Sequence, residues 1–524
     1  MAKRLFYRYW WIILAVITFA LRLPSLFEPF TYGDEGIYLT LGQAFRKGLV
    51  WYRDIHDNKP PLLYLLAALA GNFSYFRLIL FFWSFATIYL FFKLTKLIFK
   101  NKNAQILSTF IFAILTSIHT FEGNIGNAEN FMMLPIIGGF YLYLKAKNRY
   151  HYFLTGVLFS LATLFKVPAA FDFVAVLAFS FLTIKKIRNL KLEIRNYFLL
   201  LWGFFLPILL TIIYYGFEGA LSQYLSAVFF QNLPYLSSWT SNTPKIGSLP
   251  LPLLIRGLLV LGVLSLIFRF PKKVSRESKL ILIWFTFSLF AALLSSRPYP
   301  HYLLQVIPPF ALSFGLVFSK TKEKIVPLAL SFFLVFSFLH FKFWHYPNIS
   351  YYLNFYQFAL GQKNKDDYFN YFGKQTKALY QTAKYLKLHT LPEEKIFVWS
   401  NQPAIYALAD RLPIGRYTVA YHIVDFKAYQ ETIDVLTKNP PRYIIVGAEE
   451  KRPFPEFFAF LEEGYISVFR TGDFNVLKLK NSQLLLEFFI RGCATPPSRK
   501  ATWSPRDFTS AERRPLFADL QPMK

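Results

Sequence analysis

Long apolar runs broken by short clusters of lysine and arginine dominate this sequence, and they restrict its fold more than any motif does. A helix that crosses a bilayer needs about 20 predominantly apolar residues. Such runs recur near 10–27, 74–95, 104–120, 131–145, 151–165, 169–184, 197–216, 251–268, 280–296, 302–319 and 325–343, which predicts about eleven transmembrane helices. The short 151–165 and 169–184 runs read as a tight helical hairpin. The first run follows Lys3, Arg4 and Arg8 but ends in Leu-Phe-Glu-Pro-Phe rather than the small residues of a cleavage site, so it reads as uncleaved. Only 17% of the residues are charged, against about 25% in soluble domains. That argues against a soluble enzyme, a disordered chain or a coiled coil. A single cysteine, Cys493, allows no intrachain disulfide. The net charge of +28 would suit a nucleic-acid binder, but clustered cations between apolar runs are the pattern of a multi-span membrane protein.

Those clusters also give an orientation. Lys93, Lys96, Lys100 and Lys102 form one; Lys145, Lys147 and Arg149 another; Lys185, Lys186, Arg188, Lys191 and Arg195 a third. Arg269, Lys272, Lys273, Arg276 and Lys279, then Lys320, Lys322 and Lys324, continue the series. With eleven spans, all fall on the side of the N-terminus, which the positive-inside rule makes cytoplasmic. The expected location is the inner membrane of a prokaryote. The far side then holds 28–73, 121–130, the turn at 166–168, 217–250, 297–301 and everything after about 344.

After 343 the apolar runs stop. Residues 344–390 read as polar, aromatic helix. Ile396 to Ser400 and Arg442 to Gly447 read as strands, with a short helix at Pro403 to Ala409 and an amphipathic one from Asp425 to Lys438. Two further strands, Tyr465–Thr471 and Phe474–Lys480, meet at Gly472-Asp473. The expected organisation is a predominantly α transmembrane catalytic domain, 1–343, and a small extracytoplasmic α/β domain, 344–481. The stretch 482–524 has no periodicity and reads as a disordered or aberrant tail.

The far-side loops carry the chemistry. In the first, Asp34-Glu35 opens an amphipathic helix with apolar positions at 37, 38, 41, 44 and 45, suited to the membrane interface. A carboxylate there also reads simply as an N-cap. Then come His56-Asp57-Asn58-Lys59-Pro60-Pro61, where the prolines fix the direction of Lys59 and start a second interfacial helix near 61–71. The second loop holds Glu122 and Glu129 with three asparagines and no counter-charge. Lys166-Val-Pro168 puts a lysine at a span end, where it could equally snorkel. Arg297-Pro-Tyr299-Pro-His301-Tyr302 opens a late span. Carboxylates can take a proton from an acceptor, and Lys or Arg can hold a phosphate. A polyprenyl-phosphate sugar, with its tail in the bilayer and its headgroup at the surface, suits such a set.

In this order the motifs resemble the glycosyltransferase C superfamily, in particular its dolichyl-phosphate-mannose protein mannosyltransferase and lipid A aminoarabinose transferase group, over about 1–480. The resemblance implies inverting transfer of a sugar from a polyprenyl-phosphate donor to a protein, lipid or glycan on the outer face. It implies Asp34 as the base with Glu35 as its partner, Lys59 on the donor phosphate, and Glu129, or else Glu122, as the second-loop acid. Lys166 and Arg297 follow as further phosphate contacts, and His56, Asp57, Tyr299, His301 and Tyr302 as pocket residues. Asn58 replaces an acid linked to a bound metal in the aminoarabinose enzymes, so a divalent metal is left open and the sequence requires no cofactor. The rival readings are a carrier or flippase for lipid-linked sugars, or a non-catalytic assembly protein. A carrier should place ionisable residues inside its spans.

Overall fold

The computed structural model describes residues 2–183, 190–233, 236, 244–246, 249–270, 274–318 and 322–480. The tail 482–524 and several of the predicted cytoplasmic cations (Lys185, Lys186, Arg188, Lys272, Lys273 and Lys320) lie outside them. The chain divides into two compact units. One comprises residues 1–28 and 58–360; the other comprises 29–57 and the chain from 361 onward. The first far-side loop is thus shared, and most of it clusters with the C-terminal α/β unit.

The larger unit is helical. Its helices are α1 (Ala2–Arg22), then, after α2 of the other unit (Gly33–Arg46), α3 (Leu62–Ala70), α4 (Phe73–Ile98), α5 (Lys102–Leu115), α6 (Ala128–Lys145), α7 (Arg149–Phe165) and α8 (Ala170–Thr183). They continue with α9 (Leu190–Phe217), α10 (Leu221–Val228), a two-residue strand pair β1 (Lys245–Ile246) and β2 (Leu249–Pro250), α11 (Leu251–Arg269), α12 (Arg276–Ala292), α13 (Ile307–Gly315), α14 (Ile325–His340) and α15 (Asn348–Ala359). Asparagines set many of the starts. Asn72, Asn101, Asn127 and Asn148 each accept a backbone N–H at the head of α4, α5, α6 and α7, the role for which a short polar side chain is favoured.

Each predicted apolar run contains a helix among the described residues. Five helices among the described residues are long and apolar enough to cross a bilayer, and three shorter apolar ones accompany them; the figure of eleven crossings remains a reading of the sequence. Helix α11 has a mean hydropathy of 2.4 over a window only 6% buried. Large exposed residues such as Leu258, Leu259 and Leu261 on α11, or Phe332 and Leu339 on α14, are tolerated by a hydrocarbon solvent and not by water. Helices α7 and α9 meet backbone to backbone. A Cβ on Gly156 would lie 2.2 Å from the Leu200 carbonyl oxygen, and one on Gly203 would lie 2.1 Å from that of Phe153, the small-residue contact that membrane helices use.

The smaller unit contains α2, α16 (Lys365–Asn370), α17 (Gln375–His389), β3 (Phe397–Trp399), α18 (Ala404–Ala409), α19 (Ala420–Asp425), α20 (Tyr429–Lys438), β4 (Tyr443–Gly447), α21 (Pro455–Gly464), β5 (Tyr465–Thr471) and β6 (Phe474–Leu479). The sheet order is β3-β4-β6-β5; β3 and β4 are parallel and the other pairs antiparallel. Trp399, Ile423, Leu436, Phe457 and Tyr465 belong to its apolar core. The helix predicted over 425–438 starts only at Tyr429: Asp425 ends the separate helix α19, and Lys427 between the two adopts a φ of 54°. Helix α2 is seated on α18. Gln43 donates to the Ala407 carbonyl at 3.0 Å, and a Cβ on Gly36 would lie 2.6 Å from the Ala404 nitrogen. The chain after α2 returns to the same unit, where the His56 N–H donates to the Arg416 carbonyl at 2.8 Å.

Candidate functional site

In the helical unit a buried cluster assembles where three connections between helices meet. Asn127 caps α6, which puts Glu129 in its first turn, 3% exposed. Lys166 ends α7 in extended backbone ahead of the 3-10 turn Val167–Ala169, and its ammonium pairs with Glu129. His301 sits on the 3-10 helix Pro300–Val306 that precedes α13. Its Nδ1 hydrogen-bonds Glu122, and its Nε2 lies 3.9 Å from Glu129. Lys166 Nζ stands 3.9 Å from the centre of the Tyr302 ring, an arrangement that favours a cation. Tyr299 lies parallel to His301 at 5.7 Å and edge-on to Tyr302 at 5.6 Å. Burial together with the charge of Glu122 and a hydrogen bond to it pushes the Tyr346 phenol far above its ordinary value, so Tyr346 stays a donor to that carboxylate.

The second loop is braced so that Glu122 faces inward. Glu122 adopts a φ of 53°, and at the next residue a Cβ would meet the Thr116 carbonyl oxygen at 2.1 Å, so Gly123 has no substitute. The buried Arg22 guanidinium donates to Ser117 Oγ at 3.1 Å, the Gly123 carbonyl at 3.0 Å and the Thr116 carbonyl at 2.5 Å. The buried Arg77 guanidinium on α4 pairs with Glu28, 3.3 Å away. Glu28 in turn accepts from Tyr351 at 2.9 Å and Asn124 at 3.4 Å.

In the α/β unit, Asp34 lies in the first turn of α2. It is not the N-cap: that position is Tyr32, with no side-chain capping bond. Capping here is left to the turn itself, and Asp34 instead accepts the Tyr38 hydroxyl at 2.8 Å, one helical turn on. Tyr38 is fully buried. Burial first, then the charges of Asp34 and Asp57, hold its phenol well above the ordinary value. Glu35 is fully buried. Asp57 Oδ1 lies 3.8 Å from His422 Nε2, and His56 packs edge-on to Phe426, Tyr417 and His422.

The structure therefore joins Glu122, Glu129, Lys166, Tyr299, His301 and Tyr302 in one cluster, and Asp34 with Tyr38 in the other unit. Lys59 is half-buried in the helical unit, its N–H donating to the Tyr64 hydroxyl at 3.0 Å, just ahead of α3. Arg297 is half-buried ahead of the 3-10 helix, its N–H donating to Ser295 Oγ at 3.3 Å. No three His, Cys, Asp or Glu side chains among the described residues form a metal-binding group. Sequence reasoning missed Asp172, buried on α8 and bonded to Trp284, Ser288 and Gln305. A lone acid inside an apolar run was its signal.

No family model and no curated protein matches the sequence. Solved structures match the fold. ArnT from Cupriavidus metallidurans bound to undecaprenyl phosphate is 12% identical, covers 89% of this chain and 97% of its own, and has a TM-score of 0.54. The same enzyme in its apo state is 13% identical over the same shares, with a TM-score of 0.52. An Archaeoglobus fulgidus oligosaccharyltransferase in complex with zinc and sulfate is 16% identical, covers 89% of this chain and 72% of its own, and has a TM-score of 0.46. At these identities the likeness to ArnT is one of fold.

Proposed function

We propose that this protein is a membrane glycosyltransferase that moves a sugar, with inversion, from a polyprenyl-phosphate donor to an extracytoplasmic protein, lipid or glycan. The observation that carries the reading is the cluster of half-buried Lys166 with buried Glu129, His301 and Glu122 in a fold shared with ArnT, a structure of which holds undecaprenyl phosphate. An ammonium paired with a carboxylate inside protein is a ready partner for an incoming phosphate, because an ion pair already bears the desolvation cost.

In the mechanism, Asp34 accepts the proton of the acceptor hydroxyl while that oxygen attacks the anomeric carbon. The carbon–oxygen bond to the acceptor forms, the bond to the phosphate oxygen breaks, and polyprenyl phosphate leaves with the electron pair. Lys59, Lys166 and Arg297 hold that phosphate and stabilise its growing charge. Tyr38 orients Asp34, and Glu129 and His301 fix Lys166. The N-terminus lies in the cytoplasm of a prokaryote, and the α/β unit on the outer face.

The test is transfer from a panel of radiolabelled polyprenyl-phosphate sugars to endogenous membrane acceptors by wild type, Asp34→Asn and Lys59→Ala. Label entering protein, lipid or glycan with wild type alone supports the reading and names the acceptor class; no transfer from any donor sinks it. Asp172, an ionisable group inside a predicted span, is the kind of residue a carrier would need. All three of its partners are neutral donors on packed elements, which suits a fixed tie better than a gate.

A further inference from the structure

Asp172 is fully buried, and three hydrogen bonds close its carboxylate. Oδ1 accepts the Trp284 indole N–H at 2.6 Å and the Ser288 hydroxyl at 2.8 Å, both from α12. Oδ2 accepts the Gln305 amide at 2.6 Å. The same Gln305 nitrogen donates to the Pro168 carbonyl at 3.1 Å. Gln305 thus commits both of its N–H bonds, one to α8 and one to the turn that carries Lys166. Gln305 also shares the 3-10 helix Pro300–Val306 with His301.

We infer that Asp172 and Gln305 are positioning residues of the proposed site: their bond holds the helix of His301 in register with the turn of Lys166, so that both side chains meet at Glu129. The inference rests on the glycosyltransferase reading for its catalytic meaning and on the geometry alone for the register. An acid is required at 172 because donors approach both of its oxygens; an amide would set an N–H2 group against one of them. A glutamine is required at 305 because glutamate offers no N–H to either Asp172 or the Pro168 carbonyl. Helix register transmits the effect, since a packed core shifts between discrete arrangements rather than deforming smoothly.

The experiment uses the full chain in detergent or nanodiscs and compares wild type, Asp172→Asn, Gln305→Glu and the double variant, in which amide and carboxyl have changed places. Each single variant is expected to raise the donor KM about tenfold or more, as displacement of the phosphate-holding Lys166 requires, in a chain that still folds with a lowered thermal midpoint. The double variant should recover at least threefold over the worse single, since a 172–305 hydrogen bond forms again with its direction reversed. Hydrogen exchange at 166–169 and 300–306 should quicken in the single variants and not elsewhere. Folded single variants with a wild-type donor KM, or a double variant no better than the worse single, overturn the inference. If wild type transfers from no donor, the functional reading fails. The register claim is then judged by exchange, and unchanged protection at 300–306 overturns it as well.

Discussion

Two places in this molecule gather acids out of water, and they treat them differently. In the helical unit Glu129 meets an ammonium and an imidazole, and Glu122 meets the same imidazole and a phenol. In the α/β unit Asp34 takes a hydrogen bond from a neutral phenol, and Asp57 lies near His422. A carboxylate held by a cation neutralises that cation until a stronger anion competes for it. A carboxylate held by a neutral donor keeps its capacity to take a proton. The first arrangement suits holding a phosphate and the second suits deprotonating a hydroxyl.

That contrast can be broken experimentally. The largest effect expected is that of Asp34→Asn, which should lower kcat by roughly 100- to 10,000-fold, the span associated with a general base, while undecaprenyl phosphate binding measured by thermal shift stays at the wild-type level. Lys166→Ala should do the reverse and weaken undecaprenyl phosphate binding by about 10- to 100-fold, as the loss of a charged hydrogen bond predicts. Equal losses of binding in the two variants would erase the distinction. Tyr38→Phe should cost kcat about tenfold, the low end of the worth of a hydrogen bond to a charged group. Because the folded value of the Tyr38 phenol is raised, its proton stays on at pH 10 and is lost only as pH climbs through that higher value. A wild-type activity loss centred near pH 10 that Tyr38→Phe abolishes would contradict this. The smallest effect concerns Glu449, whose carboxyl is raised by burial in the α/β unit although the Ser400 hydroxyl opposes the shift. A raised folded value means stability is full below the unfolded value and lost as pH rises through the folded one. Glu449→Gln, which mimics the protonated form, should therefore raise the thermal midpoint by about 1–2 °C at pH 8 and gain nothing at pH 4.

Much of this was legible in the sequence, and the rest fails for definite reasons. The apolar runs gave the helices because a 20-residue hydrophobic stretch has few alternatives. The asparagines that cap α4 to α7 went unread, and the starts placed from hydropathy alone, at 74, 104, 131 and 151, fall one to three residues late. The acids and cations of the outer loops were identifiable as residue types, yet the second loop read as lacking a counter-charge, and Lys166 read equally as a snorkelling lysine. Both readings miss the same fact: the counter-charge comes from segments 37 and 179 residues away. Asp172 was hidden because hydropathy averages over a window and one acid does not break an apolar run. The membership of residues 29–57 in the C-terminal unit depends on Gln43, Gly36 and His56 meeting residues beyond 400, contacts no local pattern encodes.

The seat of α2 has a consequence in time. Gln43 is 364 positions ahead of the carbonyl it bonds. At typical synthesis rates of about 5–20 residues per second, the helix bearing Asp34 waits roughly 20–70 s before its support exists. Until then the apolar face of that helix has only the interface to lie on. The growing chain therefore passes through a stage in which its apolar helices can be in place while Asp34 is still unanchored, and the competence proposed here would switch on only when residues 403–410 have emerged and closed over Gly36.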